Sequence, residues 1–172
     1  MSRSIRFAVL VTVVLPAVLI GCGGGNGAVV SAPRRSPALE FVLKTTKLRF
    51  ARGESVPLTF TVKNIGSQTE NLFLAACDYF DTKILGHNTY VWQRSLNTSC
   101  AIGIVTPVSI APGETKSYSY DWTQADNLGN QVPPGSYTIT SWYQPYDAAV
   151  SGLSPGNQEM NESANPIQIM VE

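Results

Sequence analysis

Apolar and polar residues alternate along most of the chain after residue 38. This period of two is typical of strands that bury one face. The clearest run spans Val56 to Lys63, where every second residue is a large apolar one. Similar positions recur at Phe41 and Leu43, Leu48 and Phe50, Leu72 and Leu74, Tyr79 and Ile84, Tyr90 to Trp92, Tyr118 to Trp122, Tyr137 to Tyr143, and Ile167 to Val171. The pattern predicts about eight short strands, because no segment after residue 21 shows the 3.6-residue period of a helix.

Turn-forming residues separate the predicted strands. The segments Ala111–Glu114 and Pro133–Ser136 each place a Pro-Gly pair just before a strongly alternating run. Proline presets the backbone at the second position of a turn, and glycine supplies the positive φ of a type II turn at the third. Residues 39–172 are therefore predicted to form an all-β, immunoglobulin-like antiparallel β-sandwich of about seven to nine strands. A small barrel is the alternative.

The first 21 residues have the composition of an export signal. A short basic segment at residues 2–6 precedes an apolar run from Phe7 to Ile20, which contains one Thr and one Pro and is shorter than the roughly 20 residues that a membrane-spanning helix needs. The run ends in Leu19-Ile20-Gly21-Cys22, which resembles the bacterial lipobox. We predict a lipoprotein signal peptide over residues 1–21 and a lipidated Cys22 that carries fatty acyl chains such as palmitate. A plain secretory signal and an uncleaved anchor are the alternatives.

Residues 22–38 are predicted to form a flexible linker. They are rich in Gly, Ser and Pro and show no apolar periodicity, so they lack the pattern of a regular element. A lipidated Cys22 followed by this tether would hold the domain at a membrane, outside the cytoplasm. We therefore expect a protein of the cell envelope whose lipid anchor makes the membrane one of its partners.

Two cysteines remain beside Cys22. Cys77 and Cys100 form an even pair, and disulfides persist in the oxidising compartments outside the cytoplasm. A disulfide between them would close a loop of about two dozen residues, worth roughly 3 kcal/mol in the chain-entropy description. We predict this disulfide, and two separate buried thiols are the alternative.

The net charge and the reactive side chains argue against several classes of function. Twelve basic and twelve acidic residues leave no net charge, which argues against a nucleic-acid partner because that needs a basic surface. His87 is the only histidine, and we predict no catalytic site, metal site or cofactor, because no ligand spacing or catalytic constellation accompanies it. Asp121, Asp126, Asn127 and Asn130 could offer oxygen ligands to calcium. Their spacing does not match an EF-hand loop, and these residue types also favour turns.

Large aromatic residues are numerous, with three Trp and seven Tyr. Alternation places Tyr118, Tyr120 and Trp122 on one face of a strand, which assigns them to the core. A second group lies at the end of a predicted strand, where the chain enters a long polar segment. Aromatic residues dominate binding hot spots, so we predict that this second group is exposed and contacts a partner: Trp142, Tyr143 and Tyr146.

Six motifs follow one another between Lys47 and Trp142. They are Leu58-Thr-Phe-Thr-Val-Lys-Asn-Ile-Gly66, Asp78-Tyr-Phe-Asp81, Val91-Trp92, Ile110-Ala-Pro-Gly-Glu114, Tyr120-Asp-Trp122 and Pro134-Gly-Ser-Tyr-Thr-Ile139. This order resembles the bacterial intracellular proteinase inhibitor (BsuPI-like) family. The resemblance implies an immunoglobulin-like sandwich and a protein partner, since the family is named for an inhibitor of a cytoplasmic subtilisin-type serine protease. An exported member would need a different target.

These observations lead to one expectation about function. We expect a membrane-anchored lipoprotein of the cell envelope whose non-catalytic domain binds a protein, with an envelope protease as the candidate partner. In an inhibitor, a loop would occupy the protease cleft by extended-strand pairing. The alternative is a structural, assembly or adhesion module of immunoglobulin type without inhibitory activity. An enzyme is the third hypothesis, and it lacks recognisable catalytic residues.

Overall fold

The computed structural model describes residues 27–35, 38–75, 80–98, 105–143 and 163–172. Within these residues the chain forms twelve strands and one short 3₁₀ helix, which we label in chain order. They are β1 (Val29–Val30), β2 (Arg34–Arg35), β3 (Leu39–Thr45), β4 (Arg49–Phe50), β5 (Val56–Asn64), β6 (Glu70–Ala75), β7 (Phe80–Gly86), β8 (Thr89–Gln93), η1 (Arg94–Asn97), β9 (Val105–Ile110), β10 (Thr115–Trp122), β11 (Gly135–Tyr143) and β12 (Ile167–Val171). The predicted all-β class is confirmed.

Two five-stranded sheets contain most of these strands. The first has the order β1-β3-β5-β10, with β2 also beside β3, and the second has the order β4-β12-β11-β7-β8. Strands β6 and β9 form a separate pair. The pairs are antiparallel except for β12 and β4, which run parallel. This arrangement is consistent with the predicted sandwich.

The hydrophobic core lies between the two large sheets. Aromatic rings from one sheet contact rings from the other, which ties the layers together. The contacts, given as centroid distances, are Phe41 to Tyr143 at 6.3 Å, Phe60 to Phe80 at 6.1 Å, Trp92 to Tyr120 at 4.9 Å and Trp122 to Tyr137 at 5.5 Å. Tyr118 and Tyr120 are partly buried against the core and Trp122 is fully buried. Their prediction as core residues from the alternation along β10 is confirmed.

The same four-residue turn precedes β5 and β10, which pair with each other in the first sheet. In Ala51–Glu54 and Ala111–Glu114 the glutamate N–H donates to the alanine carbonyl, at 3.0 and 2.9 Å. The glutamate carboxylate accepts the alanine N–H, at 2.9 and 2.8 Å. Gly53 and Gly113 both have a φ of +79°, a conformation that glycine adopts without steric cost. The sequence pattern Ala-x-Gly-Glu therefore encodes a repeated, locally satisfied turn.

Asn64 explains the Asn-Ile-Gly motif at the end of β5. Its side chain is fully buried, and the amide group donates to the carbonyls of Gln68 and Ile110, at 2.7 and 2.8 Å. Its side-chain oxygen accepts the N–H of Gly66 at 2.8 Å. A buried amide must satisfy its donors and acceptor, so this motif serves to join β5 to the end of β9.

The structure differs from the sequence-based expectation in the predicted linker. Within residues 22–38, β1 and β2 pair with β3, and Ser31 adds two hydrogen bonds to Leu43. The flexible-linker prediction is therefore wrong for residues 29–35. The physical reason is that the outer edge of β3 offers backbone N–H and carbonyl groups with which the preceding chain can pair, and backbone pairing of that kind requires no apolar period. Strand β9 was also not predicted from the alternation.

No helix in the described ranges is long and apolar enough to cross a membrane. Cys22, and with it the predicted lipidation site, lies outside those ranges. Cys77, Cys100 and Tyr146 also lie outside them, so the predicted disulfide stays a prediction.

Candidate partner-binding surface

The end of β10 enters a loop whose base is fixed by buried side chains. Trp122 is 1% exposed, and its indole N–H donates to the carbonyl of Ala125 at 2.9 Å. Gln124 is fully buried and has a φ of +57°, which is uncommon for a residue with a side chain. An isolated bridge pairs Ala125 with Gln131 and closes the loop. We call residues 125–131 the Leu128 loop.

Gln124 connects this loop to the turn before β5. Its amide N–H donates to the carbonyl of Ala51 at 2.9 Å, and its side-chain oxygen accepts the N–H of Gly53 at 2.8 Å. Its backbone carbonyl accepts the N–H of Val132 and the side-chain amide of Gln131, both at 2.8 Å. These bonds satisfy a buried polar side chain and explain how an unusual backbone conformation is held.

Asp126 organises the tip of the Leu128 loop. One carboxylate oxygen accepts the backbone N–H groups of Leu128 and Asn130, both at 2.8 Å, and the other accepts the Asn130 side chain at 3.1 Å. The Gly129 N–H donates to the Asp126 carbonyl at 3.0 Å, which closes a four-residue turn. Hydrogen bonding, first from the Asn130 backbone and then from its side chain, lowers the pKa of Asp126 below its ordinary value.

The tip presents an apolar side chain. Leu128 is 87% exposed, the largest value among the exposed large hydrophobic residues of the described ranges. Leu96 in η1 is 66% exposed, and Tyr90 in β8 is 43% exposed. We call these three residues, with the groove described below, the Leu128 surface. Single exposed leucines are common, so the arrangement matters more than any one exposure value.

Asn127 holds the three parts of the Leu128 surface together. Its backbone N–H donates to the carbonyl of Val91 at 3.3 Å, and its side-chain oxygen accepts the backbone N–H of Gln93 at 3.0 Å. The same oxygen accepts the side-chain amide of Asn97, in η1, at 2.9 Å. The Leu128 loop therefore covers the outer edge of β8 and contacts η1, which places the exposed residues on neighbouring elements.

A groove of about 430 Å³ lies beside the loop. It is lined by the tip of the β7–β8 hairpin, by the loop and by the start of β11, through Gly86, His87, Tyr90, Leu128, Val132 and Tyr137. The Tyr137 hydroxyl donates to the Pro133 carbonyl at 2.6 Å, the backbone contact of a tyrosine corner. A β-carbon at Gly86 would lie 2.8 Å from the Tyr137 ring, so glycine is required on that wall.

A buried carboxylate, Asp81, holds the η1 side of the Leu128 surface. Asp81 is fully buried and accepts the backbone N–H of Ser95 at 3.0 Å, the Ser95 hydroxyl at 2.7 Å and the side-chain amide of Gln93. Burial raises the pKa of Asp81 above its ordinary value, and the hydrogen bonds from Ser95 and Gln93 oppose that rise. These bonds fix the start of η1 and therefore the position of Leu96.

The comparison with family models now identifies the kind of domain. The model of BsuPI, the intracellular proteinase inhibitor, matches residues 43–146, which is more than half of the chain. The chain belongs to this proteinase inhibitor family. The resemblance inferred from the sequence motifs is confirmed, and both Asp81 and the Leu128 loop lie within the matched residues. Membership of an inhibitor family implies, in general, a protease as the protein partner.

Solved structures show only weak likeness to this inhibitor-family domain. A β-glucosidase from Listeria innocua in complex with glucose is 17% identical, with a TM-score of 0.41 over 77% of this chain and 16% of that one. The alkylpurine DNA glycosylase AlkC from Pseudomonas fluorescens is 11% identical, with a TM-score of 0.43 over 74% and 28%. The CARDB domain of the PF1109 protein from Pyrococcus furiosus is 16% identical, with a TM-score of 0.40 over 81% and 89%.

This chain spans only 16% of the β-glucosidase. Likenesses at these TM-scores carry no argument about function. No curated protein matches the chain.

Two predicted partner-binding residues are not available on the surface. Tyr143 is 1% exposed, and its ring packs edge-on against Phe60 with centroids 5.8 Å apart. Trp142 is 6% exposed and pairs with Ser163 through an isolated bridge. Their predicted exposure is wrong. The period of two along β11 keeps Tyr143 on the core face, whereas Trp142 lies on the opposite face and is buried beside Ser163, with Lys83 Nζ 5.6 Å from the centre of its ring.

The loop that could have held calcium is organised for another purpose. The Asp126 carboxylate accepts N–H groups of its own turn, and the Asn127 side-chain oxygen accepts the N–H of Gln93 in β8. Within the described ranges, no three His, Cys, Asp or Glu side chains are grouped so as to hold a metal ion. His87 is exposed at the hairpin tip with a φ of +49° and lines the groove.

Sequence reasoning did not find Leu128. The signal was an apolar residue inside Asp126-Asn-Leu-Gly-Asn130, a segment that otherwise consists of turn-forming residues. In such a turn an apolar side chain has no core to enter. Its exposure was therefore predictable in principle, although its place beside Tyr90 in the groove, on a loop bonded to η1, was not.

Proposed function

We propose that this protein is a cell-envelope lipoprotein whose non-catalytic domain binds a protease through the Leu128 surface. Membership of the proteinase inhibitor family supports a protein partner in general. The lipobox at Cys22 supports a membrane anchor, with residues 1–21 as its cleaved signal. The observation that carries the choice of surface is Leu128, which is 87% exposed on a loop held by hydrogen bonds at its tip and base.

The physical argument is preorganisation. A binding loop that is ordered before it meets its partner loses less conformational entropy on association. The Leu128 loop has this order, because Asp126 fixes its tip, Gln124 fixes its base and Asn127 fixes its flank. The residues that contribute most to binding lie at the centre of an interface, ringed by contacts that exclude water, and tyrosine is enriched among them. Tyr90 is of that type, and Leu128 and Leu96 add exposed apolar area on neighbouring elements.

The test is a titration of the full chain, purified in detergent, into subtilisin-like and trypsin-like serine proteases. Residual activity toward a protein substrate, which a domain bound at or beside the cleft would obstruct, and the integrity of the domain are followed together. Inhibition near one-to-one with the domain intact would support the proposal. Digestion, or full protease activity at excess protein, would contradict it and would leave the assembly or adhesion role as the alternative.

Leu128→Ala tests the surface itself. We expect the inhibition constant to rise by about tenfold or more, the loss typical of a hot-spot residue, with no change in thermal stability. Ile65→Ala is the matched control, since Ile65 is also an exposed aliphatic residue, at 41%. It follows β5 and so lies at the opposite end of the β5–β10 pair from Leu128. Equal effects of the two substitutions would rule out the Leu128 surface.

A further inference from the structure

We propose that the Leu128 loop contacts its protease as a rigid wedge outside the substrate-binding subsites, and that the protease does not process it as a substrate. This inference rests on the proposed function and specifies its mode. It replaces the sequence-based hypothesis that a loop enters the cleft by extended-strand pairing. In this mode the Leu128 surface contacts an apolar depression on the protease. That depression lies beside the peptide-binding cleft and not within it.

The backbone N–H groups at the tip of the Leu128 loop are already hydrogen-bonded within the loop. A substrate segment pairs with a protease cleft through its own N–H and carbonyl groups in an extended conformation. In the Leu128 loop the N–H groups of Leu128, Gly129 and Asn130 all donate to Asp126. Three consecutive donors around the exposed leucine are therefore already committed within the loop.

The backbone of the loop tip is a tight turn and not an extended segment. The bond from the Gly129 N–H to the Asp126 carbonyl makes residues 126–129 a tight turn, and the Asp126 N–H donates in turn to the Asn130 carbonyl at 2.8 Å. Residues in the middle of such a turn cannot be extended. Opening the turn would break both backbone bonds and the bonds to the Asp126 carboxylate. That cost would have to come out of the binding free energy.

The base and the flank of the loop are fixed to the rest of the domain. Its base is held by the buried Trp122 and Gln124, and its flank by the contacts of Asn127 with Val91 and Gln93. Residues 125–131 therefore have little freedom to rearrange around a catalytic centre. A loop of this kind keeps its shape and offers side chains, chiefly Leu128 with Leu96 and Tyr90, to a complementary surface.

The decisive experiment compares free protease with protease whose active site is blocked. A peptidyl chloromethyl ketone fills the subsites of a subtilisin-like protease covalently, and the dissociation constant of the full chain in detergent is measured for both forms by calorimetry. We expect the two constants to agree within about threefold. Binding to the free form alone, or a blocked form that binds about tenfold more weakly, would overturn the wedge while leaving the proposed function in place.

Two variants separate the remaining outcomes. Leu128→Ala should weaken binding to both protease forms by the same factor, since Leu128 contacts a surface that the blocking peptide does not cover. Asp126→Ala, which loosens the turn, should weaken binding without making the loop a substrate. Cleavage of the parent protein within residues 127–130, detected by mass spectrometry, would overturn the wedge. An absence of binding to either protease form would overturn the proposed function, and the wedge with it.

Discussion

Two turns of this protein use the same chemistry and differ in what they present. In Ala111–Glu114 and in the Leu128 loop, a carboxylate accepts backbone N–H groups of its own turn, and a glycine with positive φ allows the chain to reverse. The first turn places a proline and a glycine at its tip and leads directly into β10. The second turn places Leu128 at its tip and is tied to three other parts of the molecule.

The difference shows that hydrogen-bonded order does not by itself mark a binding loop. Ala51–Glu54 repeats the first turn with the same bonds and the same glycine conformation, so that turn type is a structural element of the fold. Long-range hydrogen bonds do not distinguish the Leu128 loop either, because Gln124 bonds to Ala51 and Gly53, and the Gly113 N–H donates to the Asn64 carbonyl at 2.9 Å. The Leu128 loop is distinguished by its exposed apolar tip. The following substitutions test how the loop and the turns are held, beginning with the largest expected effect.

Trp122→Ala should remove the base of the Leu128 loop and leave Ala111–Glu114 intact. Loss of a fully buried indole costs about 3–5 kcal/mol of unfolding free energy, measured by urea denaturation. Trp122→Phe is the control, because it keeps an aromatic ring against Tyr137 while removing the bond to the Ala125 carbonyl and part of the buried ring volume. It should cost about 1–2 kcal/mol. Equal losses in the two variants would show that the indole hydrogen bond, not packing, dominates.

Gln124→Ala should uncouple the Leu128 loop from Ala51–Glu54. The Ala51 carbonyl and the Gly53 N–H lose their partner, and we expect a loss of about 1–3 kcal/mol in unfolding free energy. Gln131→Ala is the matched control, since Gln131 is exposed and, among the described residues, its side chain bonds to the carbonyl and side chain of Gln124 alone. If Gln131→Ala cost as much as Gln124→Ala, the link between the two regions would not be what stabilises the loop base.

Asp81→Asn should change how the unfolding free energy depends on pH. Asp81 is the buried carboxylate that fixes η1. Burial raises the folded-state pKa of Asp81 above its ordinary value of 3.8, so the folded protein binds this proton at a higher pH than the unfolded chain. Through this group, unfolding free energy therefore falls as pH rises from about 3.8 through the raised pKa, and is constant above it. The variant lacks this component.

The measurement for Asp81 is urea unfolding of both proteins between about pH 3 and about pH 8. Subtracting the variant curve from the parent curve cancels the other carboxylates, including Glu54, Glu114 and Asp126, whose pKa values are lowered. A difference that rises with pH over this range would contradict the expected sign.

The smallest global effect is expected from the two carboxylates that organise the compared turns. Asp126→Ala frees the N–H groups of Leu128 and Asn130, and we expect their hydrogen exchange to accelerate by about tenfold or more, with little change in melting temperature. Glu114→Ala should accelerate exchange only at Ala111. If exchange at Leu128 stayed slow in Asp126→Ala, the anchors at the loop base, and not the carboxylate, would keep the tip ordered.

The strands of the core were predictable because burial of one face imposes a period of two. Val56 to Val62 and Tyr118 to Trp122 show this period and lie where it places them. The same rule also argued against the predicted site at the end of β11. Tyr143 continues the apolar face that begins at Tyr137, and its proximity to a long polar segment does not alter the direction of its side chain.

The sequence alone determined the elements that depend on local rules. These are the alternating strands, the Ala111–Glu114 turn and the family to which the order of the motifs belongs. The strands follow from side-chain direction, and the turn follows from hydrogen bonds made within a few residues. The export signal and the lipobox remain predictions, since Cys22 lies outside the described residues.

Only the tertiary structure decided which residues share a surface. Leu128 and Leu96 are 32 positions apart in the chain, and Asn127 joins their elements through one side-chain oxygen. Tertiary pairing also turned part of the predicted linker into β1 and β2, because the outer edge of β3 offers backbone groups with which that chain can pair. Such contacts depend on where distant strands meet, and no periodicity along the chain records that information.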